Sequence, residues 1–364
     1  MKIAYIAETS LTNKSAYTVH VLKMCDAFSN TNDLTLLIPS YKKSNFKKLK
    51  KNFMLTSKKK FNIKSIINRK TKNFLIRIYF SLKVSNFLNL KNFDLILTRS
   101  ILTSFFLSIF KIKHILEIHS ELRGLTRLLM INLNYINSEY VKKIIFISKT
   151  LKKRFKIIDK KKILVLHDAV DINNFKLKNK KNKNIKNITY VGSFHEGKGI
   201  ELILELAKKF KGLKFNIYGE PLKKNYIKSK NLIIHGFINY NKVPKKLINS
   251  DILLLPSLKK QYGRSKSVNI SEYNSPLKMF DYLASGNIII SSKLSGINEV
   301  LKHNYNSIIT NGFDVKNWEI AIRDIQQKKY HLEIIRKNAI KTAKKFTWIE
   351  RSKKIINSNH IQKI

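Results

Sequence analysis

Short apolar runs alternate with helical patterns from the first residues of this chain, and the alternation breaks once, at a polar stretch near its middle, before starting again. Residues 2–7 read as a strand, 15–28 as an amphipathic helix and 34–38 as a second strand closed by Pro39. That is the β-α-β rhythm of a parallel sheet, whose strands are covered on both faces and so appear as continuous apolar runs. Strands follow at 94–97, 114–118, 143–147 and 163–166, with helices at 76–88 and 121–132.

The segment 173–187 is dense in Lys and Asn and poor in apolar residues, so it reads as a linker. Beyond it come strand 188–191, helix 199–210, strands 214–218 and 231–235, helix 241–249 and strand 252–255. A short helix then leads into the apolar run Ile288 to Ile290, and 314–327, 330–346 and 348–357 read as helices. The expected fold class is α/β: two doubly wound parallel sheets, each with its ligand side at the carboxyl ends of its strands. The length of 364 residues fits two such domains. Their expected bounds are 1–172 and 188–345, joined by the linker 173–187 and followed by a last helix within 346–364.

Lys and Arg total 72 against 23 Asp and Glu, a net charge of +49. Such an excess favours acidic partners. Because Lys, Asn and Ile are enriched together, part of the charge reflects a global compositional bias. It points more to an anionic membrane surface than to nucleic acid. The stretch 42–72 reads either as a solvated loop with helices or as a basic membrane-facing surface. Cys25 is the only cysteine, cannot form an internal disulfide, and sits in an apolar helical pattern as a small core residue. No apolar run approaches the ~20 residues that span a bilayer, so the expected location is cytoplasmic, peripheral on the inner face of the plasma membrane.

Two strand-to-helix turns in the second half carry the chemistry. In Asn274-Ser275-Pro276-Leu277-Lys278, Ser275 is the expected N-cap and Pro276 the first helical residue, while Gly286 closes the helix. Lys278 then falls in the first turn, where unpaired amides already present positive charge and a further cation costs roughly 0.3–1 kcal/mol. A phosphate held by those amides and the lysine removes the conflict. Asp281, three residues on, is placed to bind sugar hydroxyls; the alternative is an ordinary surface helix with an i,i+3 Lys–Asp pair. The turn Gly192-Ser193-Phe194-His195-Glu196-Gly197-Lys198-Gly199 repeats the theme, with Lys198 at the next helix. Two such turns suit the two phosphates of a nucleoside diphosphate.

These stretches, with Ile217-Tyr218-Gly219, His235-Gly236-Phe237, Asp251 to Ser257 and the ending Phe346-Thr347-Trp348-Ile349-Glu350-Arg351, resemble the donor half and closing helix of the retaining glycosyltransferases of family 4. Phe146-Ile147-Ser148 and His167 to Asp171 in the first half are similar to patterns of the same family. The resemblance implies the GT-B fold, two Rossmann-like domains facing across a cleft, with the last helix returning to the first domain. It implies that Lys198 and Lys278 neutralise the donor diphosphate, that Asp281 binds the ribose, and that Glu299 lies near the nucleotide. Gly192, Ser193, Glu196, Ser275, Pro276 and Leu277 would line the donor site. His119, at the end of a strand, matches the histidine that reaches the donor sugar, and His20 is a further cleft candidate.

Three positions depart from the family pattern. Ser193 stands where an Arg is usual, Tyr273 stands where the first acid of an E-x7-E pair is usual, and Lys14-Ser15-Ala16 replaces a glycine-rich loop. The implied activity is a sugar transfer from a nucleotide-diphosphate sugar, UDP- or GDP-linked, to a glycan or glycolipid hydroxyl, with no cofactor and no metal. The competing readings are a nucleotide-sugar epimerase on the same scaffold, an inactive family member, and a basic nucleic-acid binder. For the last, the basic residues are mostly Lys and spread along the chain rather than clustered, so nucleic acid is not an expected partner.

Overall fold

Lys2–Ile6 (β1) opens the chain, and Ile3 to Ile6 are fully buried, as a strand covered on both faces requires. The structure is a computed structural model describing residues 1–364 apart from 12–14, 41–45, 72, 123, 125–126, 129–132, 157, 176–183, 221–228, 263–267, 312 and 361–364. Helix Ala16–Ser29 (α1) is N-capped by Ser15, whose hydroxyl accepts from the Thr18 amide. Then come Asp33–Ile38 (β2), Phe46–Phe53 (α2), Asn62–Ser65 (β3), Phe74–Asn89 (α3), Leu95–Thr98 (β4) and Ile101–Ile109 (α4). His114–Ile118 (β5), Val141–Phe146 (β6), Lys149–Lys152 (α5) and Ile163–Val165 (β7) complete the sheet. Every pairing is parallel, in the order β3-β2-β1-β4-β5-β6-β7.

The second sheet repeats the plan. It uses Asn187–Val191 (β8), Ile200–Lys209 (α6), Lys214–Tyr218 (β9), Leu232–Ile234 (β10), Val243–Ile248 (α7), Ile252–Leu255 (β11), Leu277–Ser285 (α8), Ile288–Ser292 (β12), Ser295–Asn298 (α9) and Ile308–Thr310 (β13). Helices Val315–Gln326 (α10) and Leu332–Lys345 (α11) follow. The strands are again all parallel, ordered β10-β9-β8-β11-β12-β13. Ile252, Leu254, Ile288 and Ile290 enter one core, while Leu253, Leu255 and Ile289 enter the other. Alternate side chains point to opposite faces, so a strand packed on both sides has no solvent-facing positions. Each such fully buried residue contributes roughly 1.5–3 kcal/mol.

Met1–His167 together with Trp348–Ile364 form one compact unit, and Asp168–Thr347 form the other. The last helix, Trp348–His360 (α12), packs on α1 in the first unit. The unit boundary falls before residue 172, because Val170 and Phe175 are buried in the core of the second unit and the Val170 amide donates to the Phe346 carbonyl. Of the expected linker, 176–183 lie outside the described residues, and Asn187 already belongs to β8.

Elsewhere the structure adds elements to the sequence reading. The lysine-dense stretch holds α2 and β3, and the apolar run from Ile101 is a helix packed on α3. Most of the helix expected over 121–132 lies outside the described residues. Cys25 is buried and free. Among the described residues no helix is long and apolar enough to cross a membrane.

Candidate active site

In the second unit the two lysine-bearing turns lie side by side at the carboxyl ends of β8 and β11. Gly192 leaves β8 with its amide bound to the Tyr218 carbonyl. A Cβ added at Gly192 would lie 2.3 Å from Lys278 Nζ, so the absent side chain is what admits the ammonium group. Lys278 Nζ also sits 3.9 Å from the centroid of the Tyr190 ring, a cation–π contact, and the Tyr190 hydroxyl donates to the Ser193 carbonyl. Gly197 (φ +81°) and Gly199 (φ +70°) supply the left-handed backbone that turns the chain into α6, and a Cβ on Gly199 would strike the Pro256 carbonyl at 2.1 Å.

The electrostatics of this corner are lopsided. Burial, and then the charge of Lys198, hold Lys278 well below the usual lysine range. Burial pushes Lys198 down to about 8. The two ammonium groups therefore feel one another in a partly dehydrated place, and neither forms an ion pair with an acid among the described residues. The i,i+3 pairing with Asp281 does not form, because Lys278 turns toward Gly192 while Asp281, buried, accepts from the Tyr240 hydroxyl at 3.0 Å.

The start of α8 differs from the expected cap. Helical geometry begins at Leu277, Pro276 is the N-cap with no side-chain capping bond, and the buried Ser275 hydroxyl accepts from the Asp168 amide at 3.3 Å. Ser275 thus ties Asp168 to the second unit. Gly286 closes α8 in the left-handed conformation, as expected. Glu196 is exposed in its turn, and Ser193 is half-buried. Glu299 is the half-buried C-cap of α9, whereas Glu272 accepts from Ser295 at 2.8 Å. Tyr273, at the position of the usual first acid, is buried and supplies no carboxylate.

In the first unit His119 follows β5. Its Nε2 lies 2.6 Å from Glu117 Oε1, and the same oxygen is 3.1 Å from His20 Nε2 and 2.8 Å from Arg351 Nη2. Burial alone would raise Glu117, but Arg351 and the two imidazoles outweigh it and hold the carboxyl well below the usual range. Burial and then the charge of Arg99 push His119 down to about 4, against the pull of Glu117, so the ring is neutral near pH 7. Of the missing glycine-rich loop, Lys14 lies outside the described residues and Ser15 caps α1.

His20, Glu117 and His119 bring donor atoms within 4.8 Å of one another, a spacing at which a cation can be held. The set fits one poorly. Glu117 Oε1 already receives the Arg351 guanidinium, so a divalent ion on that oxygen would sit beside a fixed positive charge. The sequence reading passed over Glu117, Arg351, Tyr190 and Tyr240. For Glu117 a signal existed, since an acid inside the apolar run of a parallel strand must have a buried partner.

Comparison with known proteins bears on the second unit and on the fold. Residues 171–346 match the family model described as glycosyl transferases group 1. A curated relative from Klebsiella pneumoniae, described as an uncharacterized 41.2 kDa protein in the cps region, is 28% identical over 152 residues. That match spans 38% of this chain and 42% of the relative's length. Among solved structures, Anabaena Alr3699/HepE in complex with UDP and glucose superposes with a TM-score of 0.73 at 15% identity, over 99% of this chain and 100% of that one. The lipopolysaccharide outer core galactosyltransferase WaaB, in its apo form, gives 0.67 at 15% identity over 98% and 99%. At such identities the structures speak for the fold: two Rossmann-like units of GT-B type. The second unit, with its paired lysines at the strand ends, is the part of the chain that resembles the glycosyl transferases group 1.

Proposed function

We propose that this protein moves a sugar, with retention of anomeric configuration and without a divalent metal, from a nucleoside diphosphate sugar to a hydroxyl of a cell-envelope glycan or lipid-linked oligosaccharide. The observation that carries the reading is the pair Lys198 and Lys278, two partly dehydrated cations whose mutual repulsion a diphosphate relieves. As the glycosidic bond breaks, negative charge grows on the leaving diphosphate, and the fixed ammonium groups with the uncapped amides of α8 stabilise it. Their charge does the work a metal ion would otherwise do, and Lys278 stands in for the arginine that Ser193 replaces. By the family resemblance Asp281, fixed by Tyr240, is assigned to the ribose, Glu299 to the nucleotide end and His119 to the sugar.

Retention is carried by the family resemblance: the acceptor attacks on the face the diphosphate leaves, and a leaving phosphate oxygen takes its proton. UDP or GDP is the proposed donor nucleotide. UDP is supported by the UDP-bound structure among the similar folds, and an envelope acceptor by the galactosyltransferase among them.

The proposed location is the cytoplasmic membrane surface, reached through the +49 charge and the outward face of α3, where Leu75 is 74% and Tyr79 48% exposed and Lys83 rims the ring at 5.6 Å. Binding to anionic vesicles that falls steeply with salt supports this location; salt-insensitive partition counts against it.

A thermal-shift screen against UDP-, GDP-, ADP- and CMP-sugars tests the donor. One nucleotide class should stabilise the wild type and fail to stabilise Lys278→Ala. Transfer must require an acceptor, and conversion of the free nucleotide sugar without one would turn the assignment toward an epimerase.

A further inference from the structure

His119 does not set its own orientation. Glu117, on β5 and fully buried, offers Oε1 to His119 Nε2 at 2.6 Å. An ionised carboxylate has no proton to give, so the hydrogen of this bond belongs to Nε2 and the lone pair of the neutral ring is on Nδ1. The imidazole side chain is 23% exposed, so its free edge can meet a ligand.

The carboxylate is itself held by the last helix. Arg351 Nη2 donates to Glu117 Oε1 at 2.8 Å, its Nε donates to the His167 carbonyl at 3.0 Å, and Nη1 lies 3.4 Å from Met24 Sδ. Trp348, one turn earlier, meets the His20 ring edge-on at 5.1 Å, and His20 meets the His119 ring edge-on at 5.0 Å. Three elements, α1, β5 and α12, thus converge on one imidazole. Stability alone does not call for an ion pair here, because well-packed apolar groups of the same volume serve a core as well or better. What an apolar plug cannot do is choose which nitrogen carries the hydrogen.

We infer that Glu117 and Arg351 are positioning residues that fix the tautomer and aim of His119, so that Nδ1 accepts a hydrogen bond from a hydroxyl of the bound sugar substrate. Helix α12 is on this view a working part of the site and not only a cover for the first sheet. The inference rests on the reading of His119 as a ligand-facing residue.

The test uses the full chain and four variants: His119→Ala, Glu117→Gln, Arg351→Met and Arg351→Lys. Side-chain nitrogen chemical shifts of the ligand-free protein should show wild-type His119 as the Nε2–H tautomer and a mixture in Glu117→Gln and Arg351→Met. Turnover should fall about tenfold or more in those two variants with little change in donor KM, and Arg351→Lys should recover part of it. Combined with His119→Ala, Glu117→Gln should cost nothing further. An unchanged tautomer in folded Glu117→Gln and Arg351→Met overturns the positioning role, as does an undiminished effect of Glu117→Gln in the His119→Ala background. If His119→Ala turns over normally while the tautomer shifts in Glu117→Gln, the fault is in the ligand-facing reading of His119 and not in the network beneath it.

Discussion

The two charged clusters of this protein are built on opposite principles. Around Glu117 every charge has a counterpart: one buried carboxylate, one guanidinium and two imidazoles within hydrogen-bonding distance. Around Lys198 and Lys278 two like charges approach each other, cushioned by the Tyr190 ring and by glycine backbone. A cluster that satisfies itself holds a shape, whereas one left with surplus charge is completed by something that binds. The contrast predicts opposite signs for substitutions in the ligand-free protein.

The largest effect is expected at Glu117. Replacing it with Ala leaves Arg351 buried and unpaired and should cost about 3–5 kcal/mol of stability, read from urea unfolding. Lys278→Ala should leave the ligand-free protein as stable as the wild type or more so, since it deletes a cation that burial penalises. It should weaken nucleotide diphosphate binding by about 1.5–3 kcal/mol in calorimetry. If Lys278→Ala were instead destabilising without ligand, the contrast between the clusters would break. Gly192→Ala tests the same corner with a backbone cost added: the new methyl group collides with the end of the flexible Lys278 side chain and sits at φ +156°, which L residues rarely adopt, so stability should fall while Lys278 shifts and binding weakens by less than in Lys278→Ala.

The smallest effect sharpens the comparison through protons. Lys198 has a folded-state value of about 8, below the ~10.4 of an unfolded lysine, so between those values the unfolded chain binds more protons. Stability from this group therefore rises as pH climbs through that window and is lost again below it. An arriving diphosphate favours the charged form. Calorimetry near pH 8.5 in buffers of different ionisation enthalpy should then show proton uptake on binding, and Lys198→Met should reduce it, leaving the share that belongs to Lys278.

What the sequence made legible follows from which forces are local. Continuous apolar runs such as Ile252 to Leu255 and Ile288 to Ile290 announce strands covered on both faces, and the break near 173–187 separates the two sheets within a few residues. Lysines at helix starts are visible as local electrostatic conflicts. The α8 cap lies at Pro276 and not at Ser275, whose hydroxyl accepts from the Asp168 amide, far away in sequence. The partners of Glu117 were hidden for the same reason: Arg351 lies 234 residues further along. Within 42–72 the sequence allows helices but fixes no bounds for α2 and gives no sign of β3, because lysine-dense composition masks a weak apolar pattern, in which only Leu49 and Phe53 of α2 are buried.

The first unit needs residues from both ends of the chain, since Trp348–Ile364 belong to it and Asp168–Thr347 do not. During synthesis the whole second unit is made before Arg351 is added, an interval of about ten to forty seconds at ~5–20 residues per second. Through that interval Glu117 lacks its guanidinium partner, and the nascent first sheet waits with one face open to chaperones and proteases.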